Sequence, residues 1–186
     1  MSPSGHQPLH SSDGKLHAVV NGELYGFDEI KTQLASEIGY QFSSKCDSEI
    51  VLALYQAYGF DMFKRLRGEF AFCLYDEEKR LFIAARDRYG IKPLFYTVQN
   101  GRLLVAAEAK AFLPLGWQPE WDVKSIVEGG WNFDTRTLFA GVKKVRPGCF
   151  MTCDDKGQVE HHRYWDMEYL DKVSTLYSTA DYPLIR

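Results

Sequence analysis

Two neighbouring stretches constrain this chain more than any other feature. EFAFCLYD, residues 69–76, is apolar on both of its faces, and RLFIAARD, residues 80–87, follows after a Glu77-Glu78-Lys79 turn. A strand at a solvated surface alternates apolar and polar residues, so one that is apolar on both faces must be covered from both sides. The pattern therefore predicts two successive strands buried between two other layers of structure.

The flanking segments supply candidates for those layers. Residues 1–15 are polar and rich in Pro, Ser, Gly and Asp, and read as a loop or frayed end. Leu16 to Val20 reads as a short strand that stops at Asn21-Gly22. A helix is expected from a cap at Asp28 to Glu37 or Ile38, with Ile30, Leu34 and Ile38 on one stripe and Gly39 as its stop. A second helix is expected after Cys46-Asp47-Ser48, ending at Gly59, and a short third over residues 61–66. After the central strands, residues 94–98 and 102–107 flank Gln99-Asn100-Gly101, a strong hairpin signal. Residues 109–115 and a segment capped by Asp122 read as helices. Residues 148–153 and 159–165 form a last hairpin. Early helices followed by antiparallel strands give an α+β layered fold.

Composition narrows the function classes. With 45% apolar residues, the chain can bury a real core and is not a disordered protein. A net charge of -3 offers no basic face for nucleic acid, and pairs such as Lys143-Lys144 read as solvated surface. No apolar run is long enough to span a bilayer, and the N-terminus lacks a signal pattern, so a cytoplasmic location is expected. Four cysteines in 186 residues make no disulfide framework and read as reduced thiols. Cys149 and Cys153, followed by His161-His162, suggest zinc by composition. On one strand, however, the two Cα atoms would lie roughly 13 Å apart, while each thiolate must reach within about 2.3 Å of the metal. No metal site is assigned. Cys73 reads as a small buried hydrophobe, and Cys46 as an inert thiol at a helix start, because neighbouring Asp47 disfavours a thiolate.

Several runs together carry more information than any one of them. GHQPL (residues 5–9), VVNGELYGF (19–27), CDSEIVLALY (46–55), LRGEFAFCLYDEEKRLFIAARDRYGIKPLFY (66–96), AAEAKAFL (106–113), GVKKVRPG (141–148) and RYWD (163–166) resemble, in content and order, the class II glutamine amidotransferase domain of asparagine synthetases. The resemblance covers roughly residues 5–170. It implies an N-terminal-nucleophile hydrolase fold, a layered αββα sandwich, here expected to be incomplete at the N-terminus. The division it suggests is a flexible segment at 1–15, a partial amidotransferase domain at 16–170 and a tail at 171–186.

The resemblance also implies roles. The Asn21 carboxamide and the Gly22 N–H would form an oxyanion hole, stabilising negative charge as it develops on glutamine's side-chain carbonyl. Glu23 and Asp47 would hold the substrate's ammonium. The family's nucleophile is an N-terminal cysteine, and this sequence opens MSPSGHQPL instead. Ser2 is followed at once by Pro3 and is out of the family's order. The ATP-using synthetase domain, with its glycine-rich phosphate loop, has no counterpart in these residues. No cofactor is therefore expected in this chain, ATP and Mg belonging to the synthetase domain. Two readings result: the glutamine-hydrolysing domain of an asparagine synthetase, without turnover as this polypeptide alone, and a binding module for glutamine or a synthetase subunit.

Overall fold

A computed structural model describes residues 5–168. The tail at 171–186 and Ser2 lie outside the described residues. Among the described residues, nine strands form two antiparallel sheets. The larger has the order β1 (Leu9–His10), β2 (Leu16–Leu24), β3 (Gly68–Asp76), β4 (Leu81–Arg86), β8 (Cys149–Cys153) and β9 (Val159–Arg163). The smaller has the order β6 (Arg102–Ala106), β5 (Phe95–Gln99) and β7 (Lys143–Lys144). The helices are α1 (Phe27–Ile38), α2 (Ile50–Tyr58), α3 (Val123–Glu128) and α4 (Gly130–Phe133), with 3-10 turns at Asp47–Glu49, Gly59–Lys64 and Ala109–Leu115. No helix among the described residues is long and apolar enough to cross a membrane.

The two-faced strand sits where its sequence demands. On one side of β3, Phe70, Phe72 and Leu74 join Leu34 of α1, residues of α2, and Met62 and Phe63 in the main core. On the other, Ala71 and Cys73 meet Leu94, Tyr96, Leu103 and Val105 of the smaller-sheet region. Phe70, Phe72 and Leu74 thus face the helices, while Ala71 and Cys73 leave room for the side chains of the second sheet. Beyond the smaller sheet, Phe112 and Trp117 pack on Phe95, Leu104 and Ala106. The layers run helices, sheet, sheet, short helical cover.

Several sequence expectations are corrected here. Asn21-Gly22 does not end a strand: β2 runs on to Leu24 in unbroken register with β3, from Leu16 opposite Asp76 to Leu24 opposite Gly68. Asp28 is not the cap of α1. Gly26 occupies that position in a left-handed conformation, and Asp28 lies in the first turn, where its charge favours the helix dipole. Gly39 does close α1, its N–H bonded to the Leu34 carbonyl. Asp122 does cap α3, its Oδ1 accepting the Ser125 N–H at 2.8 Å. Within residues 1–15, Leu9 and His10 pair with Ala18 and His17. The segments expected as helices at 61–66 and 109–115 are 3-10 turns.

Candidate functional site

The continuation of β2 through Asn21 and Gly22 depends on two glycines, one on each strand, Gly22 opposite Phe70 and Gly68 opposite Leu24. Gly22 has φ 137°, and a Cβ there would lie 1.9 Å from the Glu69 carbonyl oxygen. Gly68 has φ 146°, and its Cβ would lie 2.2 Å from the Glu23 carbonyl oxygen. Both conformations are ones that side-chain-bearing residues rarely adopt. The two backbones close on each other only because neither position carries a side chain.

That pairing consumes one edge of β2 and leaves the other for different partners. The Val20 N–H donates to Gln7 Oε1 at 2.6 Å, and Gln7 Nε2 donates to the Val20 carbonyl at 2.8 Å. A side-chain amide here continues the ladder that β1 begins. Two residues on from Gly22, the Leu24 N–H donates to Asp47 Oδ2 at 2.7 Å. Alternation along an unbroken strand points the Gly22 N–H to this same edge, between Gln7 and Asp47. The Asn21 side chain is exposed and lines a cleft of about 160 Å³ between the sheets, with Gln7, Val19, Ala71, Cys73, Leu94 and Val105 among its walls.

Glu23 shares Asn21's face of the strand and is exposed, directly opposite Glu69. Tyr25 Oη donates to Glu69 Oε1 at 3.2 Å, and desolvation together with the Glu69 charge raises the Tyr25 phenol above its ordinary value. Asp47 comes from the 3-10 turn before α2. The preceding loop is organised by buried Glu49: Oε1 accepts the Ser43 N–H and hydroxyl at 2.7 and 3.0 Å, and Oε2 accepts those of Ser44 at 2.7 and 2.6 Å. All four expected residues thus gather at the C-terminal half of β2. Asn21 and Gly22 offer donors, while Glu23 and Asp47 offer negative charge beyond them.

Of the thiols, only Cys73 lines this cleft. Burial pushes it up to about 12, so at neutral pH it is a thiol and not a nucleophile. Cys46 Sγ contacts Asp47 Oδ1 at 3.4 Å. Cross-strand pairing puts Cys149, Cys153 and His161 on one face of the larger sheet, while His162 stacks on Phe150 on the other.

The ARDRYGIKP run has a different task. Asp87 is 0% exposed; its Oδ1 accepts the N–H groups of Tyr89 and Ile91, and its Oδ2 that of Lys92. The Arg86 guanidinium donates to the carbonyls of Lys92, Val145 and Gly90 at 2.7, 3.0 and 2.6 Å. Tyr164, from the RYWD run, donates its hydroxyl to the Arg86 carbonyl at 2.7 Å. These groups tie one loop to two others and bind no exposed cavity wall of the Asn21 cleft. Gln7, Glu69 and Tyr25 were not singled out from sequence. Gln7 reaches the site through its side-chain amide and Glu69 through strand pairing, both from segments distant in sequence, and no local pattern marks that.

Known proteins resemble the chain over this same span. A family model described as a glutamine amidotransferase domain matches residues 1–165. Among curated proteins, identity is 53% to the amidase chry2 of Gibberella zeae and 51% to the amidase chyE of Penicillium rubens, each over 174 residues, 94% of this chain and 26% of the relative. Identity to glutamine-hydrolyzing asparagine synthetase 1 of Bacillus subtilis is 32% over 169 residues, 89% of this chain and 27% of that protein. The chain therefore spans about a quarter of the length of these relatives. Among solved structures, glutamine phosphoribosylpyrophosphate amidotransferase of Bacillus subtilis matches with a TM-score of 0.63 and 23% identity, over 86% of this chain and 32% of that one. That likeness shows a shared fold, the N-terminal-nucleophile hydrolase sandwich. On the family match and the relatives together, the chain belongs to the class II glutamine amidotransferase domain family.

Proposed function

We propose that this chain is the glutamine-binding domain of an amidotransferase that releases ammonia for amide formation. The observation that carries the reading is the glycine-enforced edge of β2. Gly22 has no room for a Cβ, its N–H faces the edge between Gln7 and Asp47, and Asn21 stands beside it in the cleft. Two donors fixed in place before the reaction begins suit an oxygen that becomes charged only in the transition state. Glu23 and Asp47 supply the charge that a substrate ammonium needs.

The nucleophile in this reading is a thiol delivered to the Asn21 cleft by a segment other than those that wall it, since Cys73 stays protonated. The 186-residue chain alone accordingly binds glutamine and does not turn it over. Titration of glutamine into the labelled chain is expected to shift the amide resonances of Asn21, Gly22 and Leu24, with weaker binding in Glu23→Gln and Asp47→Asn. Norleucine, which lacks the amide, should leave Asn21 and Gly22 unmoved. Equal shifts from both compounds would sink the oxyanion-hole assignment. Ammonia release by the chain above a boiled control, lost in Asn21→Ala, would overturn the claim that these residues bind glutamine without turning it over.

The amide acceptor is a separate matter. In the asparagine-synthetase reading the ammonia goes to an activated aspartate, and ATP with Mg²⁺ belongs to the synthetase portion of the longer enzyme. Two relatives above 50% identity are named amidases, which favours a second reading in which asparagine is not the product. Full-length enzyme supplied with glutamine, aspartate and ATP separates them. Asparagine formation supports the first, and glutamine hydrolysis without asparagine supports the second.

A further inference from the structure

At the far end of β2 from the glutamine-binding edge, strand pairing sets His10 of β1 directly opposite His17. Their Nδ1 atoms are 2.6 Å apart, with the rings edge to face. On its other side, His17 Nε2 lies 2.7 Å from Glu77 Oε1. An ionised carboxylate only accepts hydrogen bonds, so Glu77 holds the His17 proton on Nε2. In neutral His17 the Nδ1 is then a bare lone pair, and the single proton between the two rings sits on His10.

We propose that His10 and His17 form a binding site for a late first-row divalent ion such as Ni²⁺, Cu²⁺ or Zn²⁺, held through the two Nδ1 atoms. The ion takes the position of the shared proton, which moves by tautomerisation to His10 Nε2, so both imidazoles bind as neutral ligands. A carboxylate on the far nitrogen is the arrangement that orients an imidazole ligand and raises its basicity. Metal–nitrogen bonds of about 2.0–2.1 Å at a near-tetrahedral angle place the two nitrogens about 3.3 Å apart. The pair must therefore open by about 0.7 Å, which the exposed His10 ring on its two-residue strand can supply. No group of three or more His, Cys, Asp or Glu converges on a metal position among the described residues, so water completes the shell. Two imidazoles select these ions over Mg²⁺ and Ca²⁺, which require oxygen ligands.

The scaffold around the pair is already ordered. The Glu77 N–H donates to the Lys15 carbonyl at 3.0 Å, and Lys15 pairs with Glu78 at 2.5 Å. The Ser11 N–H donates to the Leu16 carbonyl at 3.0 Å, and the Leu16 N–H returns to Ser11 Oγ at 2.9 Å. Three separate segments thus fix the two rings and their carboxylate. The site is independent of the glutamine reading.

Calorimetric titration of the 186-residue chain with Ni²⁺ in a non-chelating buffer tests it. The expected result, at a pH where both imidazoles are neutral, is one equivalent bound with no net proton release, seen as a heat that does not depend on the buffer's ionisation heat. Affinity should fall at least about tenfold in Glu77→Gln and further in His10→Ala and His17→Ala. Paramagnetic Ni²⁺ should broaden the amides of Ser11 and of residues 16–18, leaving Cys149 and Cys153 sharp. Unchanged binding in both histidine variants, or broadening centred on the cysteines, would overturn the proposal, as would no binding at all. Circular dichroism of each variant separates loss of the ligand from loss of the fold.

Discussion

The Arg86–Lys92 loop and the Asn21–Leu24 strand edge are both dense in polar groups, and those groups are satisfied in opposite ways. In the loop, every oxygen of Asp87 and every arm of the Arg86 guanidinium is turned inward onto backbone. At the edge, Gln7 and Asp47 satisfy the Val20 and Leu24 N–H groups, while Asn21 and Glu23 face outward. One strand joins the two regions: Phe70 is opposite Gly22 in the ladder, and its carbonyl accepts the Asp87 N–H at 2.8 Å. The loop holds β3 in place, and β3 holds the edge. The longest recognisable run in the sequence is thus a brace, and the short Asn-Gly-Glu run is what the brace presents.

The comparison predicts that damage at the brace appears as lost stability. Asp87→Ala leaves three backbone N–H groups without their acceptor in a buried place, each costing about 1–3 kcal/mol. A loss of about 4 kcal/mol in urea unfolding is expected, partly restored in Asp87→Asn, which keeps the acceptor oxygen. A loss below about 1 kcal/mol would mean that the loop is solvated in solution and braces nothing.

Damage at the edge should appear as lost rate instead. Asn21 is exposed and its side chain is turned to the cleft, so Asn21→Ala should change stability by less than about 0.5 kcal/mol. On the proposed oxyanion-hole role, the same change in a longer enzyme that carries this domain should lower glutaminase kcat by about 10²–10³-fold, the usual cost of one such donor. If Asn21→Ala unfolds the chain while kcat per folded molecule is unchanged, the two regions do not divide the work as described.

How much of this was open to reading from sequence follows the same division. The central strands, the Asn100-Gly101 hairpin, the Gly39 stop and the Asp122 cap rest on local chemistry, and all were legible. The extension of β2 was not. Asn-Gly after an apolar run is ordinarily a turn; here it stays extended because Gly68, over forty residues away in sequence, lets β3 approach. The same holds for Gln7, whose side chain imitates a strand, and for the His10–His17 pair. The four site residues themselves were reached through family resemblance, since spacing alone does not bring Asp47 to the Leu24 N–H.

A third test concerns the thiol that shares the Asn21 cleft. Burial raises Cys73 to about 12, whereas an unfolded thiol titrates near 8.5. The folded state therefore holds the proton more tightly. The corresponding stability is fully present below about pH 8.5 and is lost as pH rises toward 12. Between pH 8.5 and 10, unfolding free energy should fall with a slope approaching about 1.4 kcal/mol per pH unit, and Cys73→Ala should flatten it. Tyr40, raised to about 12 by burial, adds its own loss only above the ordinary phenol range. A thiol that alkylates readily in the native chain at pH 7.5 would make Cys73 a candidate nucleophile and break the reading of the cleft.

The smallest effect sharpens the comparison most, because it tests whether the RYWD run belongs to the brace or to the edge. Tyr164 donates its hydroxyl to the Arg86 carbonyl at 2.7 Å, its ring stacks on Phe63 at 4.8 Å, and its N–H donates to the Gly148 carbonyl at 2.9 Å. Burial drives its phenol well above the ordinary tyrosine value, so it is a neutral donor across the working pH range. Tyr164→Phe keeps the ring and the backbone bond and removes one hydrogen bond. The expected loss is about 1 kcal/mol, with glutaminase kcat in the full-length enzyme unchanged. A fall in kcat without a fall in stability would transfer Tyr164 from support to catalysis. It would also mean that the loop bearing Arg86 transmits to Gly22 through Phe70 more than a fixed position.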